Sequence, residues 1–157
     1  MSIETARAYL REKGFEDRIQ EFDVSSATVE LAAQAVGCEP ARIAKTLSFA
    51  AEGGCVLIVC AGDAKIDNPK FKAQFHTKAT MLTPDQVLDF TGHAVGGVCP
   101  FGITSPAVTT YLDVSLRRFD VVYPAAGNAA SAVRLTCDEL AMLSNSAGWI
   151  DVCKNWA

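Results

Sequence analysis

The chain has 157 residues, half of them apolar, with a formal charge of −4 and six cysteines. That length suits one domain, expected over residues 1–157, with a core large enough to bury most of its apolar side chains. The acidic balance excludes a surface that attracts nucleic acid by bulk charge, and no apolar run approaches the roughly 20 residues needed to cross a bilayer. The N-terminus shows no basic stretch leading into an apolar segment, so no export signal is expected and the expected location is cytoplasmic.

Residues 3–13 read as an amphipathic helix. Ile3, Ala6 and Leu10 recur at helical spacing, Ser2 is a candidate N-cap, and Gly14 can close the helix. Ile19 to Val24 alternates as a strand does. The segment Ser25-Ser26-Ala27-Thr28 offers caps for a second helix that carries Leu31, Ala32, Ala35 and Val36 and stops at Gly37. Glu39-Pro40 opens a short turn or helix. Residues 46–51 and 55–61 form a predicted hairpin about Gly53-Gly54, and the unbroken apolar run Val56 to Val59 predicts a strand buried on both faces.

Asp67-Asn68-Pro69 starts a helix that runs to about His76. Thr83-Pro84-Asp85-Gln86 is a capping box with proline at the first helical position, and its helix ends at Gly92. Val108 to Val114 and Val121 to Tyr123 are strand-like, Ala126-Gly127-Asn128 is a turn, and Ala132 to Leu135 is a further short strand. Thr136-Cys137-Asp138-Glu139 forms a second capping box, for a helix through Leu143. Interspersed helices and strands with hairpin-like connections predict an α/β fold. Its expected sheet is mixed, largely antiparallel, with helices packed outside, and not doubly wound.

Three features carry candidate chemistry. Residues 96–102, Gly-Gly-Val-Cys-Pro-Phe-Gly, combine permissive glycines with a stiffening proline, which suits a loop that holds backbone amides in place. The loop is neither a P-loop nor a dinucleotide fingerprint, because no Gly-Lys-Ser/Thr follows and no strand–loop–helix unit surrounds it. Lys45, at the entrance of a buried strand, either snorkels to solvent or points into a pocket. Gly127, Asn128 and Ser131 form a turn that could be only a turn.

The cysteines form no C-x-x-C pair and read as reduced, mostly buried thiols. Cys99 could act as a nucleophile in its amide-rich loop, although neither His76 nor His93 lies in an evident pairing motif. The histidine spacing does not suit zinc, so no metal is expected. Basic residues cluster at Lys65, Lys70, Lys72 and Lys78 and at Arg117-Arg118. Such clusters read as solvated faces that could still steer one phosphate chain.

Taken together, Ile43-Ala44-Lys45-Thr46-Leu47, Leu82-Thr83-Pro84, Thr91-Gly92, Val95 to Gly102, Val122 to Gly127 and Val133-Arg134-Leu135 resemble the YbaK/prolyl-tRNA-synthetase editing-domain family. The spacing of some fifty residues between the lysine element and Gly-Gly-x-x-Pro makes the resemblance specific. It implies a mixed sheet curled toward a barrel, and hydrolysis of mischarged aminoacyl-tRNA without a cofactor. The implied substrate is prolyl-tRNA carrying alanine or another small amino acid. A chain with nothing beyond this domain would act in trans.

The resemblance also implies roles. Lys45 is a fixed cation for the terminal adenosine phosphate or the ester carbonyl. Gly96, Gly97, Val98, Cys99 and Pro100 form a substrate wall whose amides position the aminoacyl group, with Thr28, Thr46, Gly127, Asn128 and Ser131 around it. The ribose 2′-hydroxyl of the tRNA helps to activate water. The implied partners are the aminoacylated acceptor end of tRNA and, as a second candidate, prolyl-tRNA synthetase. Cys99 stands where serine is common, and residues 128–132 carry no charged side chain. A module with the same fold that binds an acceptor end or a synthetase without cleavage is the alternative.

Overall fold

Ser2–Glu12 form α1, which buries Ala6 and Leu10 completely. The structure is a computed structural model that describes residues 2–156 apart from the side chain of Ser2, so the expected Ser2 cap lies outside the described residues. Strand β1 covers Ile19–Glu21, shorter than the 19–24 expected. Beyond Glu21 the chain stops pairing as a strand and follows a turn instead. Phe22 N–H donates to Ala130 O and Ser26 N–H to Ala129 O.

Helix α2 (Val29–Val36) starts where the Thr28 hydroxyl accepts the Leu31 N–H at 3.2 Å. It ends at Gly37, whose φ of 86° requires a residue without a Cβ penalty. A 3-10 turn at Pro40–Arg42 leads into β2 (Ile43–Ala51), and β3 (Gly54–Ala61) returns antiparallel to it. β4 (Lys65–Ile66) is followed by α3 (Asn68–Phe75), capped by the Asp67 carboxylate, and α4 (Pro84–Thr91). The capping box before α4 is complete, with Thr83 and Gln86 satisfying each other's backbone N–H.

β5 (Val108–Asp113) ends where the Asp113 carboxylate accepts from Ser115 N–H and so caps a 3-10 turn over Val114–Arg118. β6 (Val121–Pro124), β7 (Ser131–Val133) and β8 (Leu135–Thr136) follow. The second capping box then opens α5 (Cys137–Leu143). β9 (Trp149–Ile150) and β10 (Cys153–Lys154) complete the chain. The expected single strand Ala132–Leu135 is two strands. Val133 pairs with Ile19 of β1, whereas Leu135 pairs with Val122 of β6. Side-chain alternation signals an extended backbone but not its partner, and the partner changes at Arg134.

The six-stranded sheet has the order β8-β6-β2-β3-β5-β9 and curls into half a barrel. It is mixed: β2–β3 and β6–β8 run antiparallel, while β2–β6, β3–β5 and β5–β9 run parallel. The small sheets β1–β7 and β4–β10 are both antiparallel. β3 lies at the centre with Cys55 to Ala61 all buried, as its apolar run predicts. Leu10, Leu140 and Leu143 join the main core from α1 and α5, and Phe71 joins it from α3. An aromatic chain runs from Phe49 through Phe71 and Phe75 to Tyr111. Asp113 is fully buried and its second oxygen accepts from Val152 N–H at 2.9 Å, which ties the C-terminal segment to the sheet.

Candidate active site

Beside β2 lies a cavity of about 450 Å³ with mainly apolar walls. Its floor is β2 itself, residues Ile43 to Ser48. Its sides come from the start of α2, from Met81 to Val87 and from Gly96 and Val98 of the glycine loop, with Tyr123, Ala125, Ser131 and Ala132 beyond. Met81 and Val95 stand at its walls with more than half of their surface in solvent. The volume falls within the range of small-molecule sites. No aspartate, glutamate, histidine or cysteine lines it among the described residues.

Of the residues singled out in the sequence, the fold brings Lys45, Thr46, Thr28, Gly96, Val98 and Ser131 to this one cavity. Lys45 lines it while its ammonium donates to Ala64 O at 2.5 Å and to Gly62 O at 3.4 Å, in the turn after β3. Two of three N–H donors are thereby committed, and the charge is held in one place. The Thr28 hydroxyl caps α2. The Thr46 hydroxyl is buried and has no hydrogen-bond partner among the described residues, an exception to the pairing of buried polar groups.

Gly97, Cys99, Pro100, Gly127 and Asn128 do not line the cavity. Gly97 sits against the turn behind it: a Cβ there would lie 2.4 Å from the Asn128 Cα. Its N–H donates to Ala94 O, and Pro100 has none. Within the loop this leaves the amides of Gly96 and Val98 as the ones at the cavity wall. Pro100 lines a separate cavity with Gly102, Tyr9 and Lys13. Asn128 closes its own turn, its side-chain oxygen accepting the Ala130 N–H at 2.9 Å. Gly127 holds φ 104° in that turn.

Cys99 is fully buried in the main core. Burial pushes its thiol up to about 12, which removes the thiolate a nucleophile needs. Its neighbour is the His93 ring, also fully buried, with Nε2 3.5 Å from the Cys99 Sγ and 2.9 Å from Phe101 O. A carbonyl only accepts, so Nε2 carries the proton, and Nδ1 is left buried without a partner among the described residues. Burial lowers the His93 pKa. The two side chains anchor the loop from behind. All six cysteines are free thiols, four of them buried.

Residues that sequence reading did not place at the site are Ser26, Ser48, Met81, Val87, Tyr123 and Ala125. Ser26 and Ser131 join two walls: Ser131 N–H donates to the Ser26 hydroxyl at 3.0 Å, and the Ser131 hydroxyl accepts the Ala126 N–H at 3.1 Å. Tyr123 and Ala125 lie in the Val122 to Gly127 stretch that carries the resemblance, but nothing in that stretch marks which of its residues face a cavity. These residues meet only through the pairing of strands distant in sequence.

Comparisons with known proteins identify the family and the fold. The model of the aminoacyl-tRNA editing domain matches residues 23–143. The uncharacterized protein YwhH of Bacillus subtilis (strain 168) is 52% identical over 158 residues, covering 99% of both chains. Proline–tRNA ligase of Thermotoga sp. (strain RQ2) is 28% identical over 95 residues, which are 60% of this chain and 16% of the ligase. A crystal structure described as a proposed trans-editing enzyme for prolyl tRNA synthetase matches with a TM-score of 0.87 and 32% identity, over 98% of this chain and 97% of that one. On the span of these matches, the chain belongs to the aminoacyl-tRNA editing domain family.

Proposed function

We propose that the protein is a trans-acting aminoacyl-tRNA deacylase that hydrolyses the ester of prolyl-tRNA charged with alanine or another small amino acid. The observation that carries this reading is the single cavity shared by Lys45, Thr46, Gly96 and Val98, with a buried hydroxyl awaiting a partner. The full-length likeness to YwhH supports a protein that works as one domain.

The chemistry needs little machinery. An aminoacyl ester is already activated. Water attacks its carbonyl carbon, the oxygen becomes an oxyanion, and collapse expels the ribose oxygen, which takes up a proton. The products are the free amino acid and tRNA with a free terminal hydroxyl. No carboxylate, imidazole or thiol lines the cavity among the described residues, and in this reading the neighbouring ribose hydroxyl orients the water, as the family resemblance implies. The fixed Lys45 charge and the Gly96 and Val98 amides oppose the developing negative charge, an effect worth roughly 10²–10³ in rate per donor in other enzymes.

The test is deacylation of tRNA for proline charged with alanine, cysteine, serine or proline, by wild type and Lys45→Met. Selective cleavage of a small non-cognate residue, lost in Lys45→Met with an unchanged melting curve, is the expected result. Tight binding of charged tRNA with no cleavage across the panel would instead establish the binding module. That alternative is favoured by the same absence of a side-chain base.

A further inference from the structure

The floor of the cavity has an open sheet edge. β2 and β3 pair without a bulge from Ala44↔Ala61 to Ala51↔Gly54, so successive residues of β2 turn their main-chain groups alternately toward β3 and away from it. Two bonds identify the residues that face away: Leu82 N–H donates to Ser48 O at 3.2 Å, and Ala50 N–H donates to Thr80 O at 2.8 Å. Two residues back, Thr46 faces the same edge. There β6 pairs only with Ile43 and Ala44, and the 80–82 segment reaches only as far as Ser48. Thr46 falls in the gap, with no backbone hydrogen bond across that edge among the described residues. Ala125 and Leu82, which flank the gap, both line the cavity, as Thr46 does.

A strand residue with N–H and C=O on an open edge is half of an antiparallel hydrogen-bonded pair. The other half is any N–Cα–C=O unit lying about 5.5 Å away, Cα to Cα. An aminoacyl ester is such a unit. We infer that the main chain of Thr46 recognises the aminoacyl group as a one-residue β-bridge, its N–H donating to the ester carbonyl oxygen and its C=O accepting from the α-amine.

This inference rests on the deacylase reading and names its amino-acid subsite. Among the described residues no carboxylate lines the cavity to compete for the amine. The bond to the carbonyl oxygen strengthens as that oxygen gains charge, so the N–H acts in the transition state as well as in binding. Recognition by main chain does not depend on the amino-acid side chain, which leaves side-chain selection to the apolar walls.

The experiment compares alanyl and propionyl esters of the same proline tRNA, each corrected for spontaneous hydrolysis, with wild type, Thr46→Val and Thr46→Pro. The propionyl ester lacks only the α-amine, and its rate enhancement is expected to fall at least tenfold, the equivalent of one lost hydrogen bond. Thr46→Val removes the hydroxyl but keeps both main-chain groups, so whatever its absolute rate its alanyl-to-propionyl ratio should equal that of wild type. Thr46→Pro removes an N–H that the sheet does not use, so it should fold and lose roughly 10²–10³ in rate.

Equal enhancement for the two esters, or a folded and fully active Thr46→Pro, would overturn the bridge while leaving the deacylase standing. If Thr46→Pro does not fold, the alanyl-to-propionyl comparison in wild type decides alone. Failure of wild type to cleave any aminoacyl-tRNA would overturn the deacylase reading and the bridge together.

Discussion

Replacing Gly97 by alanine tests whether the glycine loop is held by contact with the turn behind it. The added Cβ would lie 2.4 Å from the Asn128 Cα and 2.6 Å from its N and C atoms. All three are backbone, so no rotamer change relieves the clash. Restoring ordinary carbon contact at about 3.5 Å requires the loop and the turn to separate by roughly 1 Å. The turn cannot withdraw freely, because Ser131 is bonded to Ser26 and Ala126, and Asn128 to Ala130.

Overpacking of this kind costs about 1–3 kcal/mol. At about 2–4 °C per kcal/mol for a domain of this size, the melting temperature should fall by roughly 2–12 °C. Because Gly96, Val98 and Ser131 are cavity walls, the proposed deacylation should fall by more than the folded fraction explains. Gly96→Ala is the comparison. Its Cβ would meet only Ala27 and Ala129 at 3.5 and 3.6 Å, but its φ of 97° is strained for alanine. That cost is conformational, about 1 kcal/mol. Thermal melts by circular dichroism and steady-state deacylation measure both variants. A Gly97→Ala protein that melts and turns over like wild type would refute the close-contact argument.

On the proposed deacylase reading, Cys99→Ser should retain most of the activity, since a thiol pushed up to about 12 by burial is not the nucleophile. Loss of all activity in a variant that still folds would restore the thiol mechanism. For His93 the sign follows from its environment. Burial holds the folded-state pKa below the ordinary 6.5. As pH falls through about 6.5, the unfolded chain takes up a proton that the folded chain refuses, and stability declines until the folded pKa is reached. Urea unfolding between pH 8 and 5 should show this decline in wild type and a shallower one in His93→Gln, and parallel slopes would contradict it. Thr83→Ala removes the hydroxyl that caps α4 and should cost about 1 kcal/mol, with Thr83→Ser close to wild type in the same melts.

Local chemistry explains what could be read in advance. The Thr28, Asp67, Thr83 and Thr136 caps each depend on one side chain reaching an N–H three residues on, and all four are present. The β2–β3 hairpin and the double burial of β3 follow from a turn flanked by an unbroken apolar run. The short strands β4, β9 and β10, two residues each, carry no periodicity to detect. They exist because their partners Cys153, Leu112 and Ile66 lie alongside them.

For the candidate site, sequence singled out three segments that the fold brings to one cavity: the Lys45-Thr46 strand, the 96–102 loop and the 126–131 turn. It could not determine which side of each segment faces the cavity, because that depends on what packs behind. Cys99 and Gly97 share a loop with Gly96 and Val98, yet the buried His93 ring and the Asn128 backbone hold the first two behind the wall. Lys45 is a strand lysine by sequence, and only the turn at Gly62–Ala64 decides where its ammonium rests. The open edge at Thr46 is further still from sequence, since it exists where two neighbours, β6 and the 80–82 segment, both fall short. Caps and hairpins are contests among a few adjacent residues, which sequence records. A gap in a sheet is a relation among three distant segments, and only the tertiary structure decides it.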